Sequence, residues 1–304
     1  MEFGKVSNEE LAHVSFRLPP DPATTKATLA GAGKPAKPVV YVGCAKWGRK
    51  EWVGEIYPKG TKDAAFLDQY VRQFNSIELN ATHYQIYGSD TIGKWAEKAG
   101  DRNFLFCPKV PQVISHFSNL ATPDAQRRTD DFLRGILAFG RHLGPVFLQL
   151  SERYAPASRQ SLFTYLRSLP RDLLFFVELR HPEWFANKDI RKEWLDVLGE
   201  CGMGTVITDA SGRRDCVHME LTIPKAFIRF VGNGLVPSDY TRIDAWVKRI
   251  GSWLDKGLNE LYFFMHQHDE RYSPRLCDYV IEKMNRHCGT SLQRIHFLND
   301  AALF

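Results

Sequence analysis

Residues 173–180, LLFFVELR, decide the architecture. Five apolar residues run into Glu178 and Arg180, with Leu179 between them. In an extended strand successive side chains point to opposite faces, so Val177 and Leu179 share one face and Glu178 and Arg180 the other. A strand that is apolar on both faces for most of its length fits a parallel sheet covered on both sides. Its charges then collect on one face at the C-terminal end.

Seven further runs of this kind flank it: VVYVG from Val39, SIELNA from Ser76, NFLFCPK from Asn103, PVFLQL from Pro145, GTVITD from Gly204, AFIRFVG from Ala226 and ELYFFMH from Glu260. Between them, apolar residues recur at helical spacing, as in Phe66, Leu67, Tyr70, Val71 and Phe74, or Phe132, Leu133, Ile136, Leu137 and Phe139. Ser89 is the expected N-cap of a helix carrying Trp95. Alternation of strand and helix predicts an α/β fold with a parallel sheet. Eight units over about 250 residues, with no GxGxxG turn after the first strand, favour a closed TIM-type (β/α)8 barrel over an open doubly wound sheet. The stretch from Ser211 to Pro224 exceeds an ordinary connection and is expected to form a hairpin or flap over the mouth.

The barrel is expected to occupy residues 39–304. Residues 1–38 read as an N-terminal arm and a Pro/Ala-rich leader. Residues 19–38, PPDPATTKATLAGAGKPAKP, lack apolar periodicity and are expected to be extended or mobile. Phe3, Val6, Leu11, Val14 and Phe16 are candidates for docking as a short arm. The 304 residues are 44% hydrophobic and 25% charged, which excludes disorder of the whole chain. A net charge of +5, from 40 basic and 35 acidic residues with no long basic run, gives weak support to nucleic-acid binding. The N-terminal sequence lacks the apolar core of a signal peptide and no stretch reaches membrane-span length, so a cytoplasmic location with no membrane partner is expected. The six scattered cysteines form no CxxC pair and are expected to stay reduced.

Sorting the strand ends by parity gives the candidate site. Glu78 and Asn80 lie opposite Ile77 and Leu79, Gln149 opposite Leu148 and Leu150, and Arg229 opposite Ile228 and Phe230. The apolar set must meet the outer helices, so the polar set points into the barrel, joined by Lys109, Asp209 and His266, with His268 a further candidate. TIM barrels ordinarily fill that interior with branched apolar residues and place their active sites at the C-terminal face. The polar set is therefore read as a site rather than as a buried network that only closes the barrel. Three carboxylates, Glu78, Glu178 and Asp209, balance Lys109, Arg180 and Arg229. That favours an anionic ligand over a divalent metal: Arg180 and Arg229 to clamp a phosphate or carboxylate, and Glu178, Glu78, Lys109 and Asp209 as catalytic groups. No cofactor is expected.

Other readings stay open beside this one. His266, His268, Asp209 and Glu178 are a candidate metal set, with His83 and His181 also near strand ends, although HxH is a short and common pattern. Cys44 and Cys107 are conceivable nucleophiles without an assignable base. Trp47, Trp52, Tyr84, Tyr87 and Trp184 fall in loops that follow strands, where they form an aromatic wall or merely anchor the loops. Gly232-Asn233-Gly234 is a candidate backbone nest for an anion.

Several motifs together, GCAKW at 43–47, WVGEIYP at 52–58, FNSIELNATHY at 74–84, FLFCPKVPQVISH at 104–116, LGPVFLQL at 143–150 and VELRHPEW at 177–184, resemble the YecE-like family, domain of unknown function 72. The resemblance runs from Tyr41 to at least Phe264. It implies a TIM barrel and brings no reaction with it. Its polar motifs match Glu78, Asn80, Tyr84, Lys109, His116, Gln149, Glu178, Arg180, His181, Trp184 and Asp209. Two departures stand out: YFFMHQHD at 262–269 where the family reads like YFNN, and Cys44-Ala45-Lys46 in the first motif where it reads like GTSGW.

The leading expectation is thus an enzyme, a hydrolase or isomerase, acting on a small or polymeric anionic substrate, sugar phosphate or nucleotide-like. Asn80, Tyr84, Gln149, Arg180, His181, Trp184, Arg229 and Trp47 would bind that substrate. The alternatives are a metal-dependent phosphodiesterase or endonuclease-like barrel, and a non-catalytic protein that binds nucleic acid or a metabolite.

Overall fold

Gly43 of the first strand is in register with Ser76 of the second and with Phe264 of the last, so the first and last strands lie side by side. In the computed structural model, which describes residues 3–33 and 37–298, all eight expected strands form: β1 (Val39–Cys44), β2 (Ser76–Leu79), β3 (Leu105–Pro108), β4 (Val146–Gln149), β5 (Phe175–Glu178), β6 (Gly204–Asp209), β7 (Lys225–Gly232) and β8 (Glu260–Gln267). They are parallel, in the order β3-β2-β1-β8-β7-β6-β5-β4. The β3–β4 gap is bridged by Phe106 to Leu143 and Lys109 to Phe147, with Val110 N donating to Phe147 O at 3.0 Å. The sheet is a nearly closed TIM-like barrel.

Among the described residues eight longer helices surround it: α1 (Ala23–Ala32), α2 (Phe66–Gln73), α3 (Ser89–Ala99), α4 (Pro123–Ile136), α5 (Arg159–Ser168), α6 (Lys188–Cys201), α7 (Pro237–Lys256) and α8 (Ser273–His287). Their starts follow local chemistry. Thr122 accepts from Ala125 N ahead of Pro123 in the first turn of α4, and Asn187 caps α6 by accepting from Asp189 N and Ile190 N. Helix α3 begins at Ser89 with Gly88 as its N-cap, one residue before the expected cap. Among the described residues no helix is long and apolar enough to cross a membrane.

The parity argument holds through most of the barrel. Ile77, Leu79, Leu148, Val177, Ile228 and Phe263 join the layer between strands and helices. Cys107, Phe147, Phe176, Val206, Phe227, Tyr262 and Phe264 fill the interior. This mainly aromatic plug is the floor under the polar groups.

Two expectations fail in a linked way. The leader is not extended throughout, because residues 23–32 form α1 with Thr25 and Leu29 buried. The Ser211–Pro224 stretch is neither hairpin nor flap. After one 3-10 turn at Arg214–Cys216, residues 216–221 run buried back toward the start of β7, where the other units carry a long helix. Thr205 and His218 tie this segment to β6, through Glu220 O and Val206 O respectively. Helix α1 covers it: Thr25 Oγ1 donates to Met219 O at 2.7 Å and accepts from Leu221 N at 2.8 Å, and Thr28 Oγ1 donates to Leu221 O at 2.8 Å. Asp21 accepts from Arg249 and Trp253 of α7. Gly257, at φ +121°, lets α1 approach; a Cβ there would lie 2.3 Å from Leu29 O. The N-terminal helix thus fills the sixth helical position of the ring.

Candidate active site at the barrel mouth

Arg229, inward on β7, lies between two carboxylates. Its Nε and Nη2 donate to Glu78 Oε2 and Oε1 at 2.8 Å each, and its Nη1 donates to Glu178 at 2.8 and 3.1 Å. All three residues are essentially buried. Burial alone would raise both carboxyls, but Arg229 with His266 holds Glu78 well below the usual range, and Arg180 with Arg229 holds Glu178 at about 2. Burial would likewise lower Arg229, yet the two carboxylates raise it. The expected anion clamp at Arg229 is therefore corrected: its guanidinium is committed to the two strands that supply Glu78 and Glu178.

Other groups complete this layer. Thr208 Oγ1 donates to Glu178 at 2.9 Å, Asn80 Nδ2 donates to Glu78 at 2.9 Å, and His266 Nε2 lies 2.9 Å from Glu78. Arg180 donates from Nε to Glu178 at 2.8 Å, its one side-chain hydrogen bond among the described residues. The ring of Phe3 lies over this guanidinium, 3.9 Å from Cζ to the ring centroid. The expected docking of the arm is seen here. Phe3 packs with Ala210, Cys216 and Val231, Gly212 N donates to Gly4 O at 2.8 Å, and Arg213 donates to Arg180 O.

Lys109 differs from its neighbours. It is 7% exposed, and its Nζ donates to Gln149 Oε1 at 2.7 Å. No carboxylate among the described residues lies within 4.0 Å of this ammonium. Burial, then Arg229 and Arg180, bring its pKa down to about 7, against the smaller opposing pull of Glu78 and Glu178. Two imidazoles stand beside it. His83 Nδ1 lies 3.0 Å from Val110 O, His116 Nδ1 lies 2.8 Å from Ser115 Oγ, and the two rings are 5.0 Å apart. Burial and then Lys109 hold both near 4, so both are neutral at pH 7. Tyr84 and Phe117, 71% and 74% exposed, continue this line of rings to solvent.

Several expected participants lie elsewhere. Asp209 follows Thr208 and so points outward, to Arg242 at 2.8 Å, Trp246 Nε1 at 2.6 Å and Arg214. Burial would raise its carboxyl, and Arg242 and Arg214 pull it down. Trp184 is fully buried and donates to Tyr154 O at 2.7 Å, and Trp47 packs edge-on against Trp95, so both anchor loops. His181 is half-buried, its Nδ1 3.4 Å from Glu183 N. The Gly232–Gly234 turn is already occupied: Asn233 N and Leu235 N donate to the Asp239 carboxylate, and Gly234 N to Gln267. Cys44 and Cys107 are fully buried with thiols pushed well up by burial, the opposite of an activated nucleophile.

The candidate metal set is not brought together. Among the described residues no three His, Cys, Asp or Glu side chains are placed to hold one ion. Asp209 belongs to the outer network and Glu178 to the two arginines, while His268 is half-buried beyond the end of β8. A cavity of about 1050 Å³ lies between the leader prolines, α6 and residues 212–220, and does not include Lys109, Glu78, Glu178 or Arg229 in its lining. The convergent charged groups, rather than this opening, mark the candidate site.

Parity alone would have chosen Thr208 over Asp209, since it shares a face with Val206. His116 was visible only in the motif, and nothing in the sequence placed Phe3 over Arg180.

Comparison with known proteins fits this architecture. The model of the family described as "Protein of unknown function DUF72" matches residues 41–296. The UPF0759 protein YecE of Escherichia coli K12 is 27% identical over 270 residues, covering 82% of this chain and 93% of that protein, and the same holds for YecE of strain O157:H7. A DUF72 family protein from Enterococcus faecalis V583, solved at 3.10 Å, superposes with a TM-score of 0.63 at 16% identity, covering 85% of this chain and 98% of its own. One from Thermotoga maritima MSB8 gives 0.60 at 20%, covering 82% and 99%. With the eight-stranded barrel and the matched segment spanning nearly all of it, the chain belongs to the DUF72 family.

Proposed function

We propose that the barrel mouth binds a small anionic substrate and moves a proton on it, with Arg180 holding the anionic group and Lys109 acting as acid or base. The observation that carries this is the division of labour among the charges. Arg229 is saturated by Glu78 and Glu178, whereas Arg180 has one hydrogen bond from its guanidinium among the described residues and Lys109 has an amide as its partner. A general acid–base group works best with a pKa near the working pH. Lys109, at about 7, meets that condition; Glu178, at about 2, does not. In this reading Glu78 and Glu178 are positioning residues that fix Arg229 and Arg180, not the proton carriers the sequence suggested. Gln149, His83 and His116 border the substrate on the Lys109 side.

The test is titration with inorganic phosphate and a panel of phosphorylated and carboxylated metabolites, by calorimetry and then by turnover. Arg180→Met should lose binding, while Lys109→Met should retain binding and lose turnover. Equal binding by wild type and Arg180→Met would overturn the assignment.

A further inference from the structure

We propose that Lys109 forms an imine with its substrate, so that the ligand class is a small aldehyde or ketone bearing a carboxylate or phosphate. This rests on the anion-binding reading above and goes beyond it, from moving a proton to making a covalent bond.

The geometry is that of an amine kept available for reaction. Both nearby carboxylates, Glu78 and Glu178, are held by arginines, so neither pairs with the Lys109 ammonium. The one hydrogen bond, to Gln149 Oε1, orients the nitrogen without demanding a positive charge. Beneath it lies the Phe147 ring, 6.0 Å from Nζ to the centroid, and beside it are two guanidiniums. A lysine desolvated next to other cations is the recognised route to a nucleophilic amine at neutral pH. The groups that set its charge are Arg229 on β7, Arg180 after β5, Glu78 on β2 and Glu178 on β5, with His83 and His116 at the rim.

The two imidazoles supply the proton path. A carbonyl only accepts, so the contact from His83 to Val110 O puts the proton on Nδ1 and leaves Nε2 as a lone pair. His116 Nε2 lies 3.5 Å from Gln149 Nε2, on the side from which a ligand would approach Lys109. Tyr84 and Phe117 are two large exposed aromatics at the outer end of the same line of rings, an apolar rim for a carbon chain whose anionic end reaches Arg180.

The step balances without an oxidant or reductant. The neutral Nζ attacks the carbonyl carbon, a C–N bond forms, and the C=O π pair moves to oxygen. A proton passes from nitrogen to that oxygen through an imidazole, giving the carbinolamine. The nitrogen lone pair then closes C=N as the C–O bond breaks, and the departing hydroxide takes one proton and leaves as water. One amine, one carbonyl and one proton become one protonated imine and one water.

The experiment uses the full chain with glyoxylate at pH 7 and sodium cyanoborohydride, which would fix the imine as a carboxymethyl group, located by peptide mapping. At a pKa of about 7 the neutral fraction exceeds that of an ordinary lysine by roughly a thousandfold. Lys109 should therefore be modified at least ~10-fold more than exposed Lys59 or Lys94. Phosphate should compete, and Lys109→Arg should remove the preferred site. Modification spread over surface lysines, with Lys109 untouched, overturns the imine. In that case phosphate binding measured without reductant separates the two ideas: if phosphate still binds through Arg180 the anion site stands, and if neither phosphate nor glyoxylate binds both fall.

Discussion

The Phe3 ring and the Arg180 guanidinium are stacked at the barrel mouth, joining the N-terminal arm to the group proposed to hold the substrate anion. A cation–π contact of this kind contributes about 0.5–2 kcal/mol. The arm around it is otherwise half-buried or exposed. In Phe3→Ala the Gly212 amide, bonded to Gly4 O, should exchange its hydrogen at least ~10-fold faster, while the amides of β6 and β7 keep their protection. Unchanged protection at Gly212 would show that the arm docks without Phe3.

Arg229→Met should destabilise the protein by about 3–5 kcal/mol at pH 7, because it leaves Glu78 and Glu178 buried without their shared cation. Urea unfolding measures this. The triple change Glu78→Gln, Glu178→Gln, Arg229→Met should recover most of the loss. A single variant as stable as wild type would mean that the carboxylates are not charged in the fold.

The same groups set two pH windows. Glu178 titrates lower in the fold, about 2 against 4.5, so the stability it contributes is complete above pH 4.5 and drains away as pH falls toward 2. Lys109 gives a slope of the same sign, since its folded value of about 7 also lies below 10.5, but here folding penalises the charged form. Between those values the unfolded chain binds the extra proton, so stability should rise with pH from about 7 to 10.5. Lys109→Met should flatten that rise, and NMR titration of its ε-carbon would show the midpoint directly. A midpoint near 10 would remove the basis for both proposed roles of this lysine.

Thr25→Val should cost about 2–4 kcal/mol, because it strands the Met219 carbonyl and the Leu221 amide together. Thermal unfolding measures the loss, with Thr24→Val, beside the cavity at the leader, as the milder control. Equal melting of the two variants would mean that the Thr25 hydrogen bonds do not hold α1, leaving that role to Thr28, Leu29 and Asp21.

The barrel was legible because each strand carries its own record of which side is inside. Alternation in 76–80, 145–150, 173–180 and 226–232 separated the outer apolar layer from Glu78, Gln149, Glu178, Arg180 and Arg229. The reading failed where charge was preferred to parity, as with Asp209 over Thr208. It failed again where partners are remote in sequence: the destination of Asp209 is a helix more than thirty residues on. Helix α1 was hidden because ATTKATLAGA buries only Thr25 and Leu29, one turn apart, too little for a periodic signal. The connection it covers gave no helical pattern because it is not a helix.

That covering helix imposes an order on how the chain can be completed. Thr25 and Met219 stand 194 positions apart, so the earlier segment must stay undocked until six of the eight strands have been made. Contacts of such long range are formed late and slowly. Until then the β6–β7 connection lies open, and a nascent chain with an uncovered wall is the form most exposed to misassembly. A fragment trimmed to begin at residue 39 would carry every strand and still retain that weakness permanently.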